Sequence, residues 1–141
     1  MDYRKILIAV DHSDNALRAV DYVGEMTSCH TPLEITLLHI IKEPSTDIMP
    51  DPGERQSHLA SARADSSALL EQAASRLTAA NLGQRRIQLK VLECSGPVSV
   101  AQVILAELVE GGYGTVVVGR RGMGTAFIRM EIAGIACLVI Q

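Results

Sequence analysis

Two groups of residues have types and spacing suited to chemistry. The first is Gly119-Arg120-Arg121-Gly122-Met123-Gly124-Thr125, which directly follows the apolar run Thr115 to Val118. Glycines let a backbone approach an anion closely and present successive N–H groups as a nest. Arg120 and Arg121 add guanidinium forks suited to phosphate. Alone, the segment also reads as a plain turn with solvated arginines; its place after a central strand favours anion binding. The second group is Asp11, at the end of Ile6-Leu7-Ile8-Ala9-Val10. A carboxylate at a strand tip can accept hydrogen bonds from an adenine amino group or a ribose hydroxyl. It can equally cap the following helix, a task open to Ser13 or Asp14 as well.

Other chemistries lack their residues. No serine, cysteine or histidine has the setting of a nucleophilic triad, so no catalytic residue is assigned. His12 reads as exposed or capping, and His39, inside a strand, as a satisfied core histidine. His12, His30, His39 and His58 show no metal-ligand spacing, so no metal site is expected. There is no GxxxxGK[ST] and no GxGxxG after the first strand, which argues against a P-loop and a dinucleotide site.

Composition narrows the class further. The chain has 141 residues, 48% hydrophobic and 21% charged, the profile of one globular domain over 1–141. With 13 Lys+Arg against 16 Asp+Glu, the formal charge is −3, and no basic patch is in view to follow a nucleic-acid backbone. No Trp, three Tyr and one Phe leave little for bases to stack on. The longest apolar run, Ala133 to Ile140, is far short of the roughly 20 residues a membrane helix needs. Cys29, Cys94 and Cys137 are odd in number and widely spaced, as expected of reduced thiols in a cytoplasmic protein.

The elements that must position these residues follow from periodicity. Residues 4–11 read as a strand buried on both faces, because the apolar run is unbroken. Leu17, Val20, Val23 and Met26 recur at helical spacing and predict a helix over 14–29. Leu33 to Ile41 is a second strand. The 41–54 loop, with Pro44, Pro50, Pro52 and Gly53, excludes regular structure and reads as either a lid or an unstructured connection. A long helix spans about 55–81, with Leu59, Ala62, Leu69, Ala73 and Leu77 on one face and Asn81-Leu82-Gly83 as its cap. Ile87 to Glu93 alternates and reads as an edge strand. Pro97 suits the first position of a helix that carries Val100, Val103, Ile104 and Leu108 and stops at Gly111-Gly112. Thr115 to Val118 and Ala136 to Ile140 complete the strands, with an ambiguous stretch between them.

This alternation predicts an α/β fold, a doubly wound five-stranded parallel sheet in the order 3-2-1-4-5 with helices on both faces, Rossmann-like in plan. Ligands of such sheets sit beyond the carboxyl ends of the strands, where the strand order reverses. Here that point lies between the first and fourth strands, which sets Asp11 beside the Gly119 loop.

Taken together, Ile6-Leu7-Ile8-Ala9-Val10-Asp11-His12-Ser13, Thr36-Leu37-Leu38-His39-Ile40, Gly96-Pro97 and Val116-Val117-Val118-Gly119-Arg120-Arg121-Gly122-Met123-Gly124 resemble the universal stress protein family, single-domain type. The resemblance covers nearly the whole chain. It implies a stress-response protein that binds ATP or AMP, with Mg2+ carried on the phosphates, and hydrolyses it slowly at most. Asp11 would contact adenine, Ile40 would hold it through its backbone, and Gly119 and Gly122, with Arg121, would meet ribose and phosphates. It also implies a homodimer joined along the last strand, Cys137 to Gln141.

One departure stands out. ATP-binding members resemble G-x2-G-x9-G-[ST/N], yet counting from Gly122 the last two positions are Ile132 and Ala133. Three readings stay open: the second phosphate clamp is lost, Gly124-Thr125 replaces it, or a segment between Gly122 and the last strand is missing from the sequence. The alternative function is therefore a dimeric interaction protein that binds no nucleotide. An adenylating enzyme on a related fold is disfavoured, because Asp11-His12-Ser13-Asp14-Asn15 contains no glycine.

Overall fold

The apolar run near the N-terminus forms the middle of a sheet because it is covered on both sides. The computed structural model describes residues 2–26, 33–79, 86–119, 127–132 and 135–140. In chain order its elements are β1 (Asp2–Ala9), α1 (Asp14–Met26), β2 (Glu34–Lys42), α2 (Pro52–Ala79), β3 (Arg86–Cys94), α3 (Val100–Gly111), β4 (Tyr113–Gly119), β5 (Phe127–Ile132) and β6 (Ile135–Ile140). Side chains of β1 alternate between two cores. Ile6 and Ile8 pack with Ala16, Ala19, Val20 and Val23 of α1 and with Leu69, Leu70, Ala73 and Leu77 of α2. Leu7 faces the other way, against Leu38, Tyr113, Val116 and Leu108 of α3. Helices therefore lie on both faces, α1 and α2 on one and α3 on the other. Each fully buried leucine in these layers contributes about 1.5–3 kcal/mol relative to exposure.

The sheet order is β3-β2-β1-β4-β6-β5. The four parallel strands β3-β2-β1-β4 lie as the sequence predicts, with β3 at the edge. The count of five is corrected to six. β6 runs parallel beside β4, but β5 is an added strand, antiparallel to β6. The physical reason is the return path: β4 delivers the chain to the carboxyl end, and β6 must start at the amino end. β5 makes that return as a strand, where the doubly wound pattern uses a crossover helix. Ile132 lies opposite Ile135, with only Ala133 and Gly134 between the two strands. The last strand is thus flanked by β4 and β5, so its side is not a free edge for a second copy; the outer edge on this side belongs to β5.

Local chemistry moves two other boundaries. Pro52 and Gly53, expected in the loop, belong to the first turn of α2, where Asp51 Oδ2 accepts from the Glu54 N–H at 3.2 Å. Proline is well suited to a first turn, which needs no N–H there. Residues 43–51 are tied down rather than unstructured: Arg55 donates to the Pro44 carbonyl at 2.6 Å, to the Met49 carbonyl at 3.3 Å and to the Glu43 carboxylate at 2.5 Å. Pro97 does not open α3. It follows Gly96, whose φ is +63°, and the helix starts behind a capping box in which Ser99 Oγ accepts from the Gln102 N–H and Gln102 Oε1 from the Ser99 N–H. Gly112, at φ +67°, ends the helix in the left-handed conformation that favours glycine. The Asn81-Leu82-Gly83 cap lies outside the described residues.

Candidate functional site

In the sheet, β1 and β4 are neighbours in parallel register, with Ala9 opposite Val118. The chain leaves β1 for α1 on one face and reaches β4 from α3 on the other. A crevice therefore opens between their carboxyl ends, as it must where the winding reverses. It holds a cavity of about 180 Å³, lined by Ala9, Val10, Asp11, Leu38, His39, Ile40, Val100, Ile104, Val118 and Gly119. Aliphatic walls with a few polar groups at the rim suit a flat, mostly apolar ring.

Asp11, Ile40 and Gly119 thus come together around one cavity, each from a different element boundary. Arg121 and Gly122 lie outside the described residues, as do Gly124 and Thr125. Val100 and Ile104 were not among the predicted site residues. Only the face to which α3 crosses reveals them as a wall, and their periodicity alone marks them as core.

Asp11 is exposed, and its Oδ1 accepts from the Ser13 N–H at 2.8 Å and from the Ser13 hydroxyl. Ser13 Oγ in turn accepts from the Ala16 N–H at 3.3 Å, so Ser13 rather than Asp11 caps α1. The carboxylate is oriented through one oxygen, and its Oδ2 has no hydrogen bond among the described residues.

The backbone at Ile40 is shaped by where the β1–β2 ladder stops. The register ends at Ala9 opposite Leu38, and the Val10 N–H donates to Leu38 O at 2.7 Å. In a parallel strand alternate residues turn both backbone groups to the same side. Ile40, two residues on from Leu38, therefore aims its N–H and C=O toward the β1 side, beyond the end of that strand. The next ladder bond would join the Ile40 N–H to Val10 O. Val10 O instead pairs with His39 Nδ1 at 2.7 Å. A carbonyl can only accept, so Nδ1 carries the proton. His39 is buried, as predicted for a satisfied core histidine, and the ring of exposed His12 meets it edge-on with centroids 5.2 Å apart.

Among the described residues, no cluster of three or more His, Cys, Asp or Glu side chains could hold a metal ion. Among them, too, no helix is long and apolar enough to cross a membrane. Cys94 is a buried free thiol.

Comparison with known proteins adds family context. The model of the universal stress protein family matches residues 2–130. A comparison with curated proteins returns no match. Among solved structures, a protein from the universal stress protein family from Burkholderia pseudomallei is 23% identical, with a TM-score of 0.64, covering 82% of this chain and 80% of that one. A universal stress protein in complex with cAMP is 22% identical, with a TM-score of 0.58 over 89% of this chain and 79% of that one. A family protein from Arabidopsis thaliana with AMP bound is 21% identical, with a TM-score of 0.55 over 86% and 79% of the two chains. At these identities the likeness speaks for the fold.

Proposed function

Because the chain belongs to the universal stress protein family, we propose that it holds an adenine nucleotide in the crevice between β1 and β4 and acts as a binding and signalling module of the stress response. The observation that carries this reading is the pairing of an oriented carboxylate, Asp11, with the unladdered backbone of Ile40 on one aliphatic cavity. A backbone N–H and C=O side by side match the acceptor N1 and donor N6 of adenine. Val100 and Ile104 supply an apolar wall for the base. Gly119, at the cavity rim, gives ribose and phosphate close access to the backbone, with Arg121 and Gly122 next along the chain. That two relatives of the same fold are described with cAMP and with AMP supports the class of ligand.

The proposal favours a monophosphate over ATP. Ile132 sits at the end of β5, opposite Ile135, and so opens no helix whose N-terminus could receive the outer phosphates. Mg2+ would arrive on the phosphates of ATP. The module is read as non-enzymatic: among the described residues, the side chains on the cavity that could act as a base are the rim carboxylate of Asp11 and His39, whose Nδ1 donates to backbone. A homodimer formed by strand addition would join at an outer strand, which on the side of β6 is β5.

Ile132 also favours a second reading, an interaction protein that binds no nucleotide. Native mass spectrometry with AMP and ATP in separate titrations decides between the two. One nucleotide per chain, with AMP retained at least as well as ATP, supports the proposal. A chain that stays nucleotide-free at millimolar AMP supports the second reading.

A further inference from the structure

Along β2, Leu37 packs in the core on the α1 side and Leu38 and Ile40 in the core on the α3 side, so by alternation the side chain of His39 falls on the α1 side. His39 lines the cavity, but its Nδ1 is turned to the Val10 carbonyl rather than to the space a ligand would fill. Its role lies in what it does to Val10. Were the Val10 carbonyl free, the regular continuation of the ladder would draw it onto the Ile40 N–H. That bond would close the gap at the end of β1 and consume the backbone donor that Ile40 aims there. The Nδ1–H of His39 takes the carbonyl at 2.7 Å in its place. Val10 immediately precedes Asp11, so the same bond also fixes the stem from which that carboxylate projects.

We infer that His39 is a positioning residue for the nucleotide crevice: by capping Val10 O it ends the β1–β2 ladder one bond early and keeps the Ile40 N–H open to a ligand. This rests on the nucleotide reading for its consequence, but its structural half stands apart from it. The geometry also fixes one proton of the imidazole, on Nδ1. Other donors can meet the requirement if they reach the same point. The Nδ2 of an asparagine lies the same number of bonds from Cβ as His Nδ1, so His39→Asn retains the device. His39→Val removes it while keeping a residue that favours a strand.

The test has a ligand-free arm and a ligand arm. In the ligand-free protein, 15N-resolved NMR should show His39 as the Nδ1–H form, and the Ile40 amide should exchange with solvent faster than the Leu38 amide. An Nε2–H form, or an Ile40 amide protected as well as Leu38, overturns the inference whether or not nucleotide binds. In His39→Val the Ile40 amide should become protected, and AMP affinity should fall about tenfold, the size of one hydrogen bond. The preference for AMP over IMP should shrink with it. His39→Asn should restore affinity and base preference to near the parent level. Equal losses in the Val and Asn variants, with Ile40 exchange unchanged in both, would reduce His39 to a packing residue. Absence of AMP binding by the parent chain, with the ligand-free arm as expected, would overturn the nucleotide reading and leave the ladder device standing.

Discussion

The imidazole of His39 and the carbonyl of Val10 meet at 2.7 Å, where the ladder between two neighbouring strands would otherwise continue. A side chain thereby decides how far a sheet is zipped, and the unzipped backbone falls on the wall of the crevice between β1 and β4. The same few residues carry the oriented carboxylate of Asp11 and the cap of α1. Local hydrogen-bond accounting and the proposed recognition of adenine are thus one arrangement.

Asp11→Ala is expected to weaken AMP binding by about tenfold or more, since a charge-assisted hydrogen bond is lost. Folding should suffer little. Ser13 Oγ still caps the Ala16 N–H, and only its own anchor disappears, so the cost should stay near ~1 kcal/mol. Calorimetric titration and urea unfolding of the same sample separate the two effects. Unchanged affinity would remove Asp11 from the site.

Gly111→Ala is expected to destabilise the fold far from the crevice. A Cβ at Gly111 would stand 2.3 Å from Cε2 of Tyr113. The ring has little room to yield, because its hydroxyl donates to buried Thr36 Oγ1 at 2.9 Å and Lys5 Nζ lies 5.0 Å from its centroid. Overpacking of this kind costs about 1–3 kcal/mol. The midpoint of chemical unfolding should drop while AMP affinity per folded molecule stays the same.

Alkaline pH should weaken the contact between β3 and α3. Lys90 Nζ donates to Glu107 Oε1 at 2.7 Å, with the carboxylate side chain 9% exposed and the lysine 45%. The hydrogen bond to Glu107 raises the Lys90 pKa above its ordinary 10.5, against the opposing effect of burial and aided by attraction to the same carboxylate. A raised folded pKa stabilises fully below the unfolded value and loses its contribution as pH climbs through the folded one. The stability gained should therefore be present at neutral pH and fade above pH ~10.4. Because the lysine is half exposed, the amount is under ~1 kcal/mol. In Glu107→Gln the decline of unfolding free energy with alkaline pH should be shallower than in the parent. Equal slopes would contradict the pairing.

Much of this was legible in the sequence where one physical rule dominated. The unbroken run Ile6 to Val10 reads as a strand covered on both faces; Ile6 to Ala9 lie in β1 between the two cores, and Val10 stands just past its end. The identity of His39 as a satisfied core residue followed from a histidine inside an apolar strand, but its partner, the Val10 carbonyl, is 29 residues away and invisible to local patterns. The strand at Phe127–Ile132 went unread for a similar reason. Six residues of mixed character become a strand only through pairing with β6, which also takes the edge the last strand was expected to offer. Pro52 reads locally as a breaker, but behind Asp51 it stands in the first turn of α2, where no N–H is needed. Val100 and Ile104 needed the side on which α3 crosses, which periodicity does not encode.

The central claim is that an adenine nucleotide occupies the crevice between β1 and β4, and amide NMR titration of the labelled full chain with AMP tests it most directly. Saturable shifts concentrated at Asp11, Ile40 and Gly119, with the Ile40 amide moving toward a hydrogen-bonded position, are the predicted result. No shift at millimolar AMP, or shifts confined to residues away from that crevice, would contradict the account.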